Sequence, residues 1–296
     1  MRQQKGNCRF RLIATLGTEP QVITSTIDLL LQRGVLISSV VVIHTGDNGG
    51  PISSAIATLN LEYFQSPYKN QFELGFVSIR GENGEELRDV ETYDSSRAAF
   101  LEIYKQVRIA KLDGDYVHLS IAGGRKTMSA FGMVTAQLLF DEEDHLWHLY
   151  SSGDFLASKR LHPQPHDDVH LIPIPFILWS QISPSLTNII QEEDPFQAIE
   201  NIRQLQLNKK IDNARSYILN SLTASERKVT ALLVRDGLSD KEIADRLSIS
   251  PRTVEQHLRS AYIKAANHWE LENVNRTQLV SLLNIYYVWE MDNHEK

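Results

Sequence analysis

Ser120–Leu139 reads SIAGGRKTMSAFGMVTAQLL and changes character twice along its length. The apolar end of a strand gives way to a bare glycine pair, Gly123–Gly124, and then to a long amphipathic stretch with helical spacing. Glycine lets backbone come close to backbone or ligand, and a helix N-terminus carries partial positive charge from its unpaired N–H groups. Arg125 and Lys126 add two cations to that positive end. Such an arrangement repels itself unless an anion is to be held there. The stretch therefore reads as a strand, an anion-binding turn and a helix.

Its surroundings repeat the pattern. Between Arg9 and Trp179 the runs FRLIATLG, SSVVVIHTG, FELGFVSIRG, YVHLSIAGG, LWHLYSSG and VHLIPIPFILW are continuously apolar and mostly rich in β-branched residues, as strands covered on both faces are. Helical patterns lie between them: EPQVITSTIDLLLQRG, with Val22, Ile23, Ile27, Leu30 and Leu31 in step, and SSRAAFLEIYKQVRIA. Strands alternating with helices predict an α/β, doubly wound, mainly parallel Rossmann-like sheet. Glycine-bearing turns follow the strands at Gly17–Pro20, Gly46–Pro51, Ala122–Thr127 and Ser151–Gly153. Parallel strands place all four turns along one edge, where such sheets bind ligands, and a phosphate-bearing ligand fits them best. The turns nominate Gly17, Glu19, Asn48, Gly123, Gly124, Arg125, Lys126, Thr127 and Ser152 as ligand-binding residues. Neither GxxxxGK[ST] nor a GxGxxG after the first strand is present, which demotes P-loop NTPase and NAD-enzyme readings. A phosphoryl receiver needs an acidic pair and an acceptor Asp at the first and third strand ends. Here those ends read TLGTE and SIRGE, with Glu19 and Glu82 isolated.

At 296 residues, with 42% hydrophobic and 23% charged side chains, the chain has room for two domains. Its net charge of −7, from 30 basic and 37 acidic groups, gives no general adhesion to nucleic acid. The absence of a long apolar run and of a signal-like N-terminus predicts a cytoplasmic protein. The single cysteine, Cys8, rules out an intrachain disulfide and is expected as a buried thiol beside the first strand. His162, His166 and His170 lie close together in HPQPHDDVH, but two prolines break any regular helix there, and a loop without a metal is expected. His145 and His148 flank Trp147 in an expected buried strand, and neither HExxH nor GxSxG occurs.

From Ser183 the chain turns polar and then helical, with Phe196, Ile199, Ile202, Leu205, Ile211 and Ile218 on one stripe. The expected division is 1–182 for the α/β domain, 183–220 for a helical linker and 221–296 for an all-α domain. Capping rules parse LTASERKVTALLVRDGLSDKEIADRLSISPRTVEQHLRSAYIKA into three helices. Thr223 with Glu226, and Ser239 with Glu242, form capping boxes, and Ser250 before Pro251 starts the third helix. The second and third helices around SIS make a helix-turn-helix. Val254, Leu258 and Ala261 would face its core, leaving Arg252, Thr253, Glu255, Gln256 and Arg259 outward toward a major groove. From Leu222 to Leu258 the segment resembles the LuxR-type DNA-binding domain, and NRTQLV at Asn275–Val280 resembles that family's fourth helix. The resemblance implies a dimer on double-stranded DNA, with Arg252, Thr253, Gln256 and Arg259 as contacts. Two departures stand out: Glu255 replaces a cation common in that family, and AANHWELENV lengthens the last loop.

IATLGTEPQVITSTIDLL, LSIAGGRKTMSAFGMVTAQLL and DEEDHLWHLYSS resemble CRISPR-associated CARF domains of the Csm-type or NE-type ring-nuclease-related family, over roughly the first 180 residues. The resemblance implies a homodimer whose sheet edges form a symmetric pocket for cyclic oligoadenylate, cyclic tetra-adenylate being favoured. Arg125 and Lys126 would hold its phosphates, and Thr18 would meet ribose or phosphate. Two functions follow from it: a ligand-responsive, DNA-binding regulator of a type III CRISPR system, or a metal-independent ring nuclease using Thr18 and Lys126.

Overall fold

The computed structural model describes residues 9–178 and 190–294, so Cys8 and Trp179 lie outside the described residues. Two units divide the chain, Met1–Ile199 and Glu200–Lys296.

The first unit is built on β1 (Phe10–Thr15), β2 (Ile37–His44), β3 (Glu73–Ser78), β4 (Tyr116–Ser120), β5 (His145–Ser151) and β6 (Val169–Pro173). They lie in the order β3-β2-β1-β4-β5-β6, all parallel except β6, which runs antiparallel to β5. Helices α1 (Gln21–Gln32) and α2 (Pro51–Gln65) send Ile23, Ile27, Leu30, Ala55 and Leu59 against Leu12, Ala14, Val40 and Val42 on one face. The short α5 (Gly153–Ser158) adds Phe155 to the same core. On the other side α3 (Tyr93–Leu112) and α4 (Lys126–Leu139) pack together, with the rings of Phe100 and Phe131 stacked at 5.0 Å.

The continuous apolar runs overstate coverage at the sheet's flanks. β3 is an edge strand of mixed exposure, and β6 buries Val169 and Leu171 while exposing His170 and Ile172. β6 also ends sooner than its apolar run, because Pro173 and Pro175 lack the N–H that a ladder needs. On β5 Trp147 is buried, but His145 and His148 are exposed, contrary to the expectation of a buried strand.

The centre of the sheet depends on one close approach. The Thr15 hydroxyl donates to the Gly123 carbonyl at 2.7 Å. A Cβ placed on Gly123 would sit 2.0 Å from the Thr15 carbonyl oxygen, and Gly124 adopts φ +77°. Only glycines let the loop after β4 cross the end of β1 here.

Helix α6 (Pro195–Ser216), most of which belongs to the second unit, leads into a π-turn at Tyr217–Ser221. Of the expected stripe, Ile202, Ile211 and Ile218 are buried, whereas Leu205 is exposed. Helices α7 (Ala224–Val234), α8 (Asp240–Leu247), α9 (Pro251–His268) and α10 (Arg276–His294) follow. Both capping boxes form, and the Ser250 hydroxyl accepts the Thr253 N–H at 3.1 Å. Val254, Leu258 and Ala261 lie in the core with Val229, Ile243 and Leu279. Glu226 joins this unit internally: it accepts from the Thr223 N–H at 2.8 Å and from Lys264 Nζ, on α9, at 2.7 Å.

Two predictions follow from these contacts. Burial by itself raises the Glu226 carboxyl, but the bonds from Lys264 and Thr223 outweigh it and hold the group at about 2 against an ordinary 4.5. A depressed carboxylate stabilises above its unfolded pKa, here by roughly 2–3 kcal/mol, and that contribution fades as pH falls from 4.5 toward 2. Urea titrations should place Glu226→Gln below wild type at pH 7 with the gap closing in that window; a gap constant with pH contradicts the assignment. Gly123→Ala should cost about 1–3 kcal/mol by overpacking. Gly153, with nothing within 4 Å of its added Cβ, provides the control: Gly153→Ala should stay within about 0.5 kcal/mol. Equal unfolding midpoints for the two variants would remove the crossing as a constraint.

Candidate functional site

β1 and β4 are neighbours at the point where strand order reverses, so their loops part toward opposite faces and leave a crevice. Two hollows share its floor of Gly17, Thr18 and Gly124. One, of about 210 Å³, is also lined by Thr45, Arg88, Arg125 and Met128. The other, of about 370 Å³, is lined by Glu19, Val22, Gly123 and the β5 residues His148–Ser151.

The expected site residues fall into distinct environments. Arg125 is exposed but engaged: its Nε donates to Asp89 at 2.6 Å, and a second guanidinium N–H meets the other carboxylate oxygen. That pairing raises the Arg125 pKa and lowers that of Asp89. Lys126 and Thr127 are exposed on the first turn of α4, which starts without a side-chain cap. Among the described residues Thr18, Lys126 and Thr127 make no side-chain hydrogen bond or ion pair. Glu19 is neutralised by Lys159, whose Nζ donates to both its oxygens at 2.7 Å. Ser152 caps α5 through the Phe155 N–H at 3.4 Å.

Asn48 is exposed with φ 50°, but the turn around it is organised by Asp47. The Asp47 carboxylate accepts from the N–H groups of Gly50 and Ser53, each at 3.0 Å, and from that of Ile52. Burial would raise this carboxyl, yet the bonds from Ser53, Ile52 and Gly50 lower its pKa. The N-terminus of α2 thus holds the chain's own carboxylate, whereas that of α4 holds no side chain.

Arg88 is the residue that sequence reading missed. It lies in the acidic stretch RGENGEELRD, where its own signal is diluted. The segment folds back through the Arg80–Glu86 bridge, and the Gly46 N–H donates to the Leu87 carbonyl at 2.8 Å. This brings Arg88 to the crevice, exposed and without an ion pair among the described residues. The three clustered histidines do not converge: His162 pairs with Asp28 at 2.7 Å and Glu62 at 3.1 Å, and the Asp28 bond above all lifts it to about 9. Among the described residues no group of three His, Cys, Asp or Glu side chains is arranged to hold a metal. No helix there is long and apolar enough to cross a membrane.

On α9 the exposed Arg252, Glu255, Gln256 and Arg259 line one open hollow of about 580 Å³ with Asp240 and Pro251. Asp240 is itself paired with Arg276. Thr253 departs from its expected outward role: it is half-buried and its hydroxyl is bonded to Ser250 Oγ at 2.8 Å, which ties it to the helix cap.

Comparison with known proteins gives two family matches that follow one another along the chain. Residues 220–282 match the family of bacterial regulatory proteins of luxR type. Over 60 residues the chain is 50% identical to a putative HTH-type transcriptional regulator of Mycobacterium bovis, covering 20% of this chain and 6% of that protein. Over 60 residues it is 48% identical to the monoamine regulon transcriptional regulator of Klebsiella aerogenes, covering 20% of this chain and 23% of that protein. The chain therefore spans less than a quarter of the length of either relative. Residues 19–207, more than half of the chain, match the family of CRISPR-associated protein NE0113, and the chain belongs to that family, carrying a luxR-type helix-turn-helix after its α/β unit.

Proposed function

We propose that this protein is a transcription regulator whose α/β unit senses cyclic oligoadenylate, cyclic tetra-adenylate in the first instance, and whose helix-turn-helix binds DNA. The observation that carries the reading is the uncommitted guanidinium of Arg88 in a crevice that also offers the Thr18 hydroxyl, with Lys126 exposed on the uncapped first turn of α4, next in the chain to the crevice residue Arg125. Arg125 joins them when a phosphate competes with Asp89 for its guanidinium. Family membership supplies the CRISPR context. A symmetric ring has two equivalent sides, so two copies of the chain, each giving one crevice, form the complete site. On the DNA side Arg252, Gln256 and Arg259 act from the exposed stripe of α9, and Glu255 in the same hollow limits nonspecific phosphate attraction.

One observation favours a second activity, ring cleavage. The Thr18 hydroxyl has no partner among the described residues and lines the crevice with Arg88 and Arg125. In that reaction a ribose 2′-oxygen attacks the adjacent phosphorus, the bond to the 5′-oxygen breaks, and the 5′-oxygen takes up the proton released by the 2′-hydroxyl. The product is linear, with a 2′,3′-cyclic phosphate and a 5′-hydroxyl. Lys126 would stabilise the charge on the phosphoryl oxygens and Thr18 would align the ribose.

Calorimetric titration with cyclic tetra-adenylate tests both readings. Wild type should bind, and Lys126→Ala and Arg88→Ala should each weaken binding about tenfold or more, as expected for a lost charged hydrogen bond. No binding by wild type at micromolar concentration overturns the sensor. Chromatography of the bound ring after hours at 37 °C separates the activities: linear 2′,3′-cyclic phosphate products establish the nuclease, and an intact ring removes it.

A further inference from the structure

The two hollows of the crevice differ in chemistry. The guanidinium groups of Arg88 and Arg125 line the smaller one, whereas among the described residues neither lysine nor arginine lines the larger. Its one formal charge, Glu19, is paired with Lys159. Apolar residues Val22, Ala122, Leu149 and Leu156 contribute to its lining. Such a chamber suits the planar, uncharged part of a ligand whose phosphates lie next door.

One wall of the chamber is a bare strand edge. β4 ends at Ser120, opposite Trp147, so β5 continues past its partner from His148 to Ser151. The direction of each backbone group there follows from its neighbours. The Leu146 carbonyl accepts from Ile174 and the Ser152 N–H donates to Asp168, both on the β6 side. The Trp147 carbonyl accepts from Ile121 on the β4 side. Backbone groups alternate along a strand, so Leu149 and Ser151 turn theirs to the β4 side, where among the described residues no strand remains to meet them. Both residues line the chamber. The Leu149 carbonyl and the Ser151 N–H are therefore an adjacent acceptor and donor at its wall, in the order in which a ladder strand would have offered them to a neighbour.

We infer that this edge reads the base of the ligand, with the Leu149 carbonyl accepting from an exocyclic amine and the Ser151 N–H donating to the neighbouring ring nitrogen. Resting on the cyclic-oligonucleotide reading, this deepens it by assigning base selection to backbone. Adenine presents that complement on its Watson–Crick edge: the N6 amine donates and N1 accepts. Hypoxanthine reverses it, with O6 an acceptor and N1–H a donor, so carbonyl would face carbonyl and N–H would face N–H. A backbone edge cannot rotate to adapt, as an Asn or Gln side chain can. Discrimination then comes from two unpaired polar groups in a partly dehydrated chamber.

The test compares rings on the wild-type protein. Cyclic tetra-inosinate and a ring of 1-deaza-adenosine should each bind at least tenfold more weakly than cyclic tetra-adenylate, and a ring of 7-deaza-adenosine should bind within about threefold of it. Amide hydrogen exchange should show the Ser151 N–H protected on addition of the adenylate ring and not of the inosinate ring. Equal binding of adenylate and inosinate, or loss with 7-deaza but not with 1-deaza-adenosine, overturns the assignment while leaving ring binding intact. So does a Ser151 amide that exchanges equally fast with and without the adenylate ring. Failure of every ring to bind overturns the cyclic-oligonucleotide reading itself.

Discussion

The crossing of Gly123 over the Thr15 carbonyl governs the α/β unit. The Thr15 hydroxyl fastens the two chain segments at 2.7 Å, and the missing side chain lets them touch. Because β1 and β4 lie at the reversal of strand order, this contact fixes the floor of the crevice and the spacing of its two loops. The start of α4, with Lys126 on its first turn, is set by the same geometry. A glycine pair that suggests a phosphate cradle in sequence thus serves first as a backbone crossing.

Electrostatics then separate the positions that look alike. Of the helices that open at this edge from glycine-bearing turns, α2 has Asp47 at its N-terminus, whereas nothing comparable occupies that of α4. Two adjacent cations sit on the second loop, yet Arg125 is held by Asp89 while Lys126 is uncommitted among the described residues. Exposed pairs of this kind contribute little to stability. The Asp89 pair therefore matters more for the charge that it cancels at Arg125.

The six strands, their mainly parallel order and the three-helix core of the helix-turn-helix were legible in the sequence, because buried faces impose periodicity and caps impose local chemistry. Thr223, Glu226, Ser239, Glu242 and Ser250 act through residues three or so positions away, so their roles survive without tertiary information. Arg88 reaches the crevice through a fold-back that places it beside loops more than forty residues earlier in the chain, and nothing local marks it. The pairing of Arg125 with Asp89, 36 residues apart, was hidden for the same reason. Thr253 shows the converse: its register along the helix is legible, but the bond of its hydroxyl to Ser250 and its half-burial are not. The bare β5 edge depends on how far β4 extends beside it, a property of two strands together.

If the α/β unit senses and the second unit acts, the two binding events must be energetically linked. Linkage is reciprocal, and couplings of this type commonly change affinity by fivefold or more. The most direct measurement takes a duplex selected from random sequence by the protein itself and determines its Kd by fluorescence anisotropy, with and without saturating cyclic tetra-adenylate. A change of at least fivefold in either direction, absent in Lys126→Ala, is the predicted result. A selected duplex bound equally well in both conditions, by a protein that binds the ring, would contradict the account.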